Sequence, residues 1–110
     1  MSQTPLLIGM HVSGAKLHAA LVDTSGNVSE RVETEISPQN MIEQAASVAR
    51  GFVAKSGNIS ALGFAIPGLV NRQTDVVMIS PAVPSTIREG LHAELIRATG
   101  LRVEIENDAN

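Results

Sequence analysis

At 110 residues, 44% of them hydrophobic, the chain suits one small domain with a real core; with two Phe and neither Trp nor Tyr, that core must be largely aliphatic. A net charge of −3 with no basic run argues against a nucleic-acid partner, and the absence of cysteine excludes disulfides and thiolate metal sites. No apolar run reaches membrane-spanning length, and Met1-Ser2-Gln3-Thr4-Pro5 has no positive charge ahead of the first apolar stretch, so no signal peptide is read and the cytoplasm is the expected compartment.

Residues 6–12 form a continuous apolar run interrupted only by Gly9, the pattern of a central strand covered on both faces. Ser13-Gly14-Ala15 is a tight turn of small residues, and residues 17–22 are apolar again apart from His18. After the turn cluster Asp23-Thr24-Ser25-Gly26-Asn27, residues 28–36 alternate, with Val32, Thr34 and Ile36 on one side and Ser29, Arg31, Glu33 and Glu35 on the other. These three strands read as an antiparallel meander. Ser37-Pro38 is expected to cap a helix whose apolar positions are Met41, Ile42, Ala45, Val48, Ala49, Phe52 and Val53, and Gly57 ends it. Residues 59–66 predict a fourth strand weakened by Gly63, Pro67-Gly68 a turn, and residues 75–79 a short strand. A capping box at Thr86 and Glu89 opens a second helix with Ile87, Leu91, Leu95 and Ala98 inward and Gly100 at its end. Leu101, Val103 and Ile105 alternate with Arg102 and Glu104 in a last strand. The order β-β-β-α-β-(β)-α-β implies an α/β fold, a mixed sheet with helices packed on it.

Three segments have the chemistry of a site. The turn around Ser13, Gly14 and Lys16 is either an ordinary hairpin or a place where exposed backbone N–H groups meet a phosphate. Pro67-Gly68 is either a plain turn or a strand-end loop presenting backbone groups to a small polar ligand. In Glu106-Asn107-Asp108-Ala109-Asn110, the amide and carboxylate either cap a helix or serve a hydroxylated ligand, the carboxylate accepting the proton of an attacking hydroxyl. Glu104 and Glu106 share one strand face and read as a solvated edge. The three histidines, His11, His18 and His92, show no metal-binding spacing; His18 falls inside a strand and His92 on the polar side of the second helix.

Taken together and in this order, the opening strand and small-residue turn, Leu21-Val22-Asp23-Thr24-Ser25-Gly26-Asn27, residues 63–70, Ile79-Ser80-Pro81-Ala82-Val83-Pro84 and residues 106–110 resemble the N-terminal part of ROK proteins over essentially the whole chain. That family comprises sugar kinases and sugar-responsive repressors of the two-domain, ribonuclease-H-like (actin-like ATPase) fold. The resemblance implies that residues 1–110 are the sugar-facing N-terminal domain and that an ATP-binding C-terminal domain is absent from this chain. It implies Asp108 as the base that takes the sugar hydroxyl proton, Asn107, Gly68 and Glu106 at the sugar, and Ser13, Gly14 and Lys16 at the phosphates. ATP and Mg2+ are then the expected cofactors of the full-length protein, with no metal ligand and no tightly bound cofactor expected here.

The sequence departs from the family pattern where phosphate is handled. The usual Asp-Ile-Gly-Gly-Thr-Lys reads His11-Val12-Ser13-Gly14-Ala15-Lys16, and a usual asparagine is Ala82. A neutral imidazole is a poor ligand for a hard, oxygen-preferring cation. The leading expectation is a domain of a hexose or amino-sugar kinase that has no turnover by itself. A sugar-sensing or degenerate ROK protein is the alternative, although the short segment before the first strand leaves no room for a helix-turn-helix. An actin-like assembly domain, homodimerising through its exposed cleft face, is the third. The expected partners are a small sugar and the missing domain, with neither nucleic acid nor membrane.

Overall fold

The computed structural model describes residues 5–13, 15–37, 39–67, 69–71, 73–74, 76–79 and 90–107. Its elements are β1 (Leu6–Ser13), β2 (Lys16–Asp23), β3 (Val28–Glu35), α1 (Met41–Ser56), β4 (Ile59–Ile66), β5 (Leu69–Asn71), β6 (Val76–Ile79), α2 (Leu91–Thr99) and β7 (Arg102–Asn107).

β1, β2 and β3 form the expected antiparallel meander. Its second turn is built by Asp23, whose Oδ1 accepts the backbone N–H groups of Ser25 and Asn27 at 2.9 Å each, while Gly26 takes φ 90°, where a side chain would be strained. β4 then pairs with β1, and β7 with β4, both parallel; parallel neighbours need a crossover, which α1 and α2 supply. The main sheet has the order β3-β2-β1-β4-β7, and β5 and β6 form a separate antiparallel ribbon. β5 was not expected from the sequence, because three residues directly after a Pro-Gly turn show no measurable period.

Both helices lie against one face of the sheet, α1 over β1 and β2, α2 over β7, and they touch each other. That face carries Ile8, Met10, Val12, Leu17, Ala19, Leu21, Leu62, Phe64, Ile66, Val103 and Ile105, all buried. Met41, Ala45, Ala46, Ala49 and Phe52 of α1 and Leu91 and Leu95 of α2 close over it. Strand alternation dictates which residues these are, since every second side chain points to the same face.

Several expectations are corrected. Ser37 does not cap α1: the helix starts at Met41, and Asn40 turns its side chain back to accept the Ser37 N–H at 2.8 Å. Val53 is exposed, whereas Ala46, not among the expected inward positions, is buried. α2 starts at Leu91 with Gly90 before it; the proposed capping box at residues 86–89, with Ile87, lies outside the described residues. Val32 is on the predicted side of β3 yet exposed, since β3 is an edge strand. Gly57 and Gly100 end the helices in the left-handed conformation, as expected. Among the described residues no helix is long and apolar enough to cross a membrane.

Candidate functional site

β1, β4 and β7 are adjacent and run in the same direction, so their C-terminal ends reach one edge of the sheet side by side. Each end leads into one of the three segments picked out from the sequence: the Ser13 hairpin after β1, Pro67 after β4, and the end of β7 at Asn107. The register is close, with Ile66 opposite Asn107, and Ala65 between His11 on one side and Glu106 on the other. Open α/β sheets bind ligands beyond the carboxyl ends of their strands, where backbone groups are no longer used by the ladder.

Not every expected site residue is described. Gly14, Gly68 and Asp108 lie outside the described residues, and Asn107 is placed by its backbone alone. Ser13 is exposed at the end of β1 and pairs with Lys16 across the hairpin, whose Ala15 carbonyl accepts the Ile36 N–H at 2.8 Å. The Lys16 ammonium meets the Glu33 carboxylate at 2.8 Å. That hydrogen bond and its charge raise the lysine above its ordinary value and lower Glu33 below its own. Both side chains remain half-exposed, so the pair is solvated and open to competition from another anion. Glu106 is exposed on the face of the sheet away from the helices, with Glu104.

The feature that sequence reasoning missed is a histidine pair. His11 of β1 and His18 of β2 are direct partners in the antiparallel register and share the helix-free face. Their ring centroids lie 5.8 Å apart with planes tilted by 32°. His18 Nδ1 is 3.9 Å from Glu33 Oε1. A signal was available: a hairpin turning at Gly14 and Ala15 pairs residues equidistant from the turn. Beside the pair, a depression of about 580 Å3 has Gly9, Ala20, Gly63 and Ala65 among its lining, with Glu106 at one side. His92, expected on a polar face, is half-buried, and its Nε2 lies 2.7 Å from the Val103 carbonyl, tying α2 to β7.

The described residues offer no ready-made magnesium centre. Among the described residues no three His, Asp or Glu side chains converge on a point where a metal could sit. Where the family's phosphate loop usually has an aspartate this chain has the His11 imidazole, a poor ligand for an oxygen-preferring cation, and the oxygen donor left beside the turn is the Ser13 hydroxyl.

The sequence profile of the ROK family matches residues 7–110. The chain belongs to the ROK family. Over 108 residues it is 35% identical to a glucokinase of Streptomyces coelicolor, an alignment covering 96% of this chain and 33% of that enzyme. A ROK family glucokinase from Streptomyces griseus, solved in complex with glucose and AMPPNP, superposes with a TM-score of 0.73 at 27% identity, over 96% of this chain and 34% of that one. A ROK family transcriptional regulator, a homolog of the E. coli MLC protein, superposes with a TM-score of 0.78 over 94% of this chain and 28% of its own; at 22% identity this likeness is one of fold. The α/β architecture is thus that of the actin-like ROK proteins. The chain spans about a third of the length of the curated relatives it matches.

Proposed function

We propose that residues 1–110 are the N-terminal, sugar-facing domain of a cytoplasmic carbohydrate kinase that transfers the γ-phosphate of ATP to a hydroxyl of a hexose or amino sugar. The ATP-binding domain lies outside these residues. One observation carries the reading: in a chain of this family, with glucokinases among its relatives, the three segments suited to phosphate and sugar leave one sheet edge side by side.

In this reading Asp108 accepts the proton of the sugar hydroxyl while that oxygen bonds to the γ-phosphorus and the bond to the β–γ bridging oxygen breaks, releasing ADP. Asn107 offers a donor and an acceptor to sugar hydroxyls, Glu106 a further acceptor, and Gly68 lets backbone approach the sugar. Ser13, Gly14 and Lys16 receive the phosphates. Phosphoryl transfer depends on positioning and charge stabilisation, and one half of a cleft supplies little of either, so the chain alone has no turnover.

The test is coupled phosphorylation of a panel of hexoses and N-acetylhexosamines by the full-length protein with Mg-ATP, beside Asp108→Asn. Turnover that falls by about 10²–10⁴-fold in the variant, with sugar affinity retained, supports Asp108 as base. Turnover equal in both removes that assignment. A second reading, a sugar sensor without phosphoryl transfer, is favoured by His11, Ala15 and Ala82; it predicts calorimetric sugar binding with no turnover on any sugar.

A further inference from the structure

We infer that His11 and His18 form a chelating pair for a borderline divalent cation, of the class of Zn2+, Ni2+ or Cu2+, on the helix-free face of the sheet beside the β1–β2 turn. The inference stands on the hairpin register and does not require the kinase reading.

Direct partners on one face of an antiparallel pair have Cβ atoms about 4.5–5.5 Å apart. His11 and His18 are such partners, and their ring centroids are 5.8 Å apart. Two imidazoles that share one cation at nitrogen–metal distances of about 2.0–2.1 Å hold their centroids roughly 5 Å apart. The difference is under about 1 Å, and both rings can be reached from solvent: His11 is half-buried and the His18 side chain is 44% exposed. The backbone, fixed by the ladder from Leu6–Asp23 to Ser13–Lys16, need not move.

The surroundings favour a cation. Along the same row across the sheet the order of residues is Glu106, Ala65, His11, His18, Glu33, so one carboxylate adjoins the pair and a second stands two strands from His11. The charged amine nearby, Lys16, is matched by Glu33 at 2.8 Å. Imidazole nitrogen selects the borderline first-row metals over Mg2+ and Ca2+, so the residues that fail magnesium suit this class. Two protein ligands leave the remaining positions to water or to an anion, and the adjoining depression of about 580 Å3 provides the room. A two-ligand site of this kind binds more weakly than a closed four-ligand structural site.

The test is calorimetric titration of the chain with ZnCl2, NiCl2 and MgCl2, beside His11→Gln, His18→Gln and His92→Gln, with circular dichroism reporting that each variant is folded. The expected result is one Zn2+ or Ni2+ per chain and no Mg2+ uptake. Either of the first two substitutions should weaken binding at least tenfold, and His92→Gln should leave it unchanged. A readout on the unaltered chain is independent of any variant: traces of Cu2+ should broaden the amide resonances around residues 11 and 18 first. No stoichiometric uptake, uptake indifferent to both substitutions, or broadening centred on His92 or the N-terminus would each overturn the proposal.

Discussion

The two faces of the sheet are made from alternate residues of the same strands, yet they obey different rules. On the helix-covered face of β1 and β4, Ile8, Met10, Val12, Leu62, Phe64 and Ile66 are each at most 3% exposed. Between them, on the other face, stand Gly9, His11, Ser13, Ala61, Gly63 and Ala65, which are small or polar. The first face meets the demand for burial, and any well-packed apolar set satisfies it. The second carries the histidine pair, the Lys16–Glu33 ion pair and Glu106, and is open to chemistry. Core packing and the exposed polar groups are thus separated by one residue of offset along a strand.

The largest expected break in this comparison comes from Phe64→Ala. Emptying a fully buried aromatic site should cost about 3–5 kcal/mol in urea unfolding, whereas Ala65→Ser, one residue on and facing the other way, should stay within about 0.5 kcal/mol. Comparable losses for both would mean that the second face is also packed. Gly63→Ala sharpens the same point. Its φ is not in the left-handed region and an added Cβ meets nothing within 4 Å, so the substitution should stabilise the chain by about 0.4–1 kcal/mol through the unfolded state. If it instead destabilises the full-length protein, another element rests on the glycine.

Smaller effects come from ionisation, and here the sign differs by group. Asp23 is held below its ordinary 3.8 by the backbone N–H of Asn27 first of all, then by hydrogen bonds from the Asn27 side chain, Ser25 and Gly26. A carboxyl with a lowered folded value adds stability that is complete above its unfolded value and disappears as pH falls through the folded one. Melting temperature should therefore drop between about pH 5 and 2, and less steeply in Asp23→Asn. The smallest effect is expected for Lys16→Gln. Lys16 is raised above 10.5 by Glu33, so its contribution is complete below that pH and is lost as pH rises through the higher folded value. In the same pair Glu33 acts at the acid end, below 4.5. Because both groups are solvated, the difference between wild type and Lys16→Gln at neutral pH should shrink in molar salt; a difference indifferent to salt would contradict a purely electrostatic pair.

Much of the fold was legible because its periods are strong. Alternation marked β3 and β7, turn chemistry marked Asp23 to Asn27, and Gly57 and Gly100 marked helix ends. Competing local signals misled elsewhere. Ser37-Pro38 looks like a helix start, but Asn40 spends its side chain on the Ser37 N–H, and the helix begins after it. His92 looks solvent-facing from helical spacing, yet the Val103 carbonyl of a neighbouring strand holds its ring.

By itself, the sequence determined the kinds of element and their order apart from β5, the aliphatic core and the family, since these come from local period, turn residues and motifs in succession. Only the tertiary structure decided that β4 lies between β1 and β7, that the three loop-bearing strand ends share one edge, and that both helices cover the same face. It also decided that Glu33 stands against Lys16. The reason is that strand pairing is a contact between residues far apart in the chain. Its energy comes from cross-strand partners and from burial of one whole face, and neither is written in any short window of sequence.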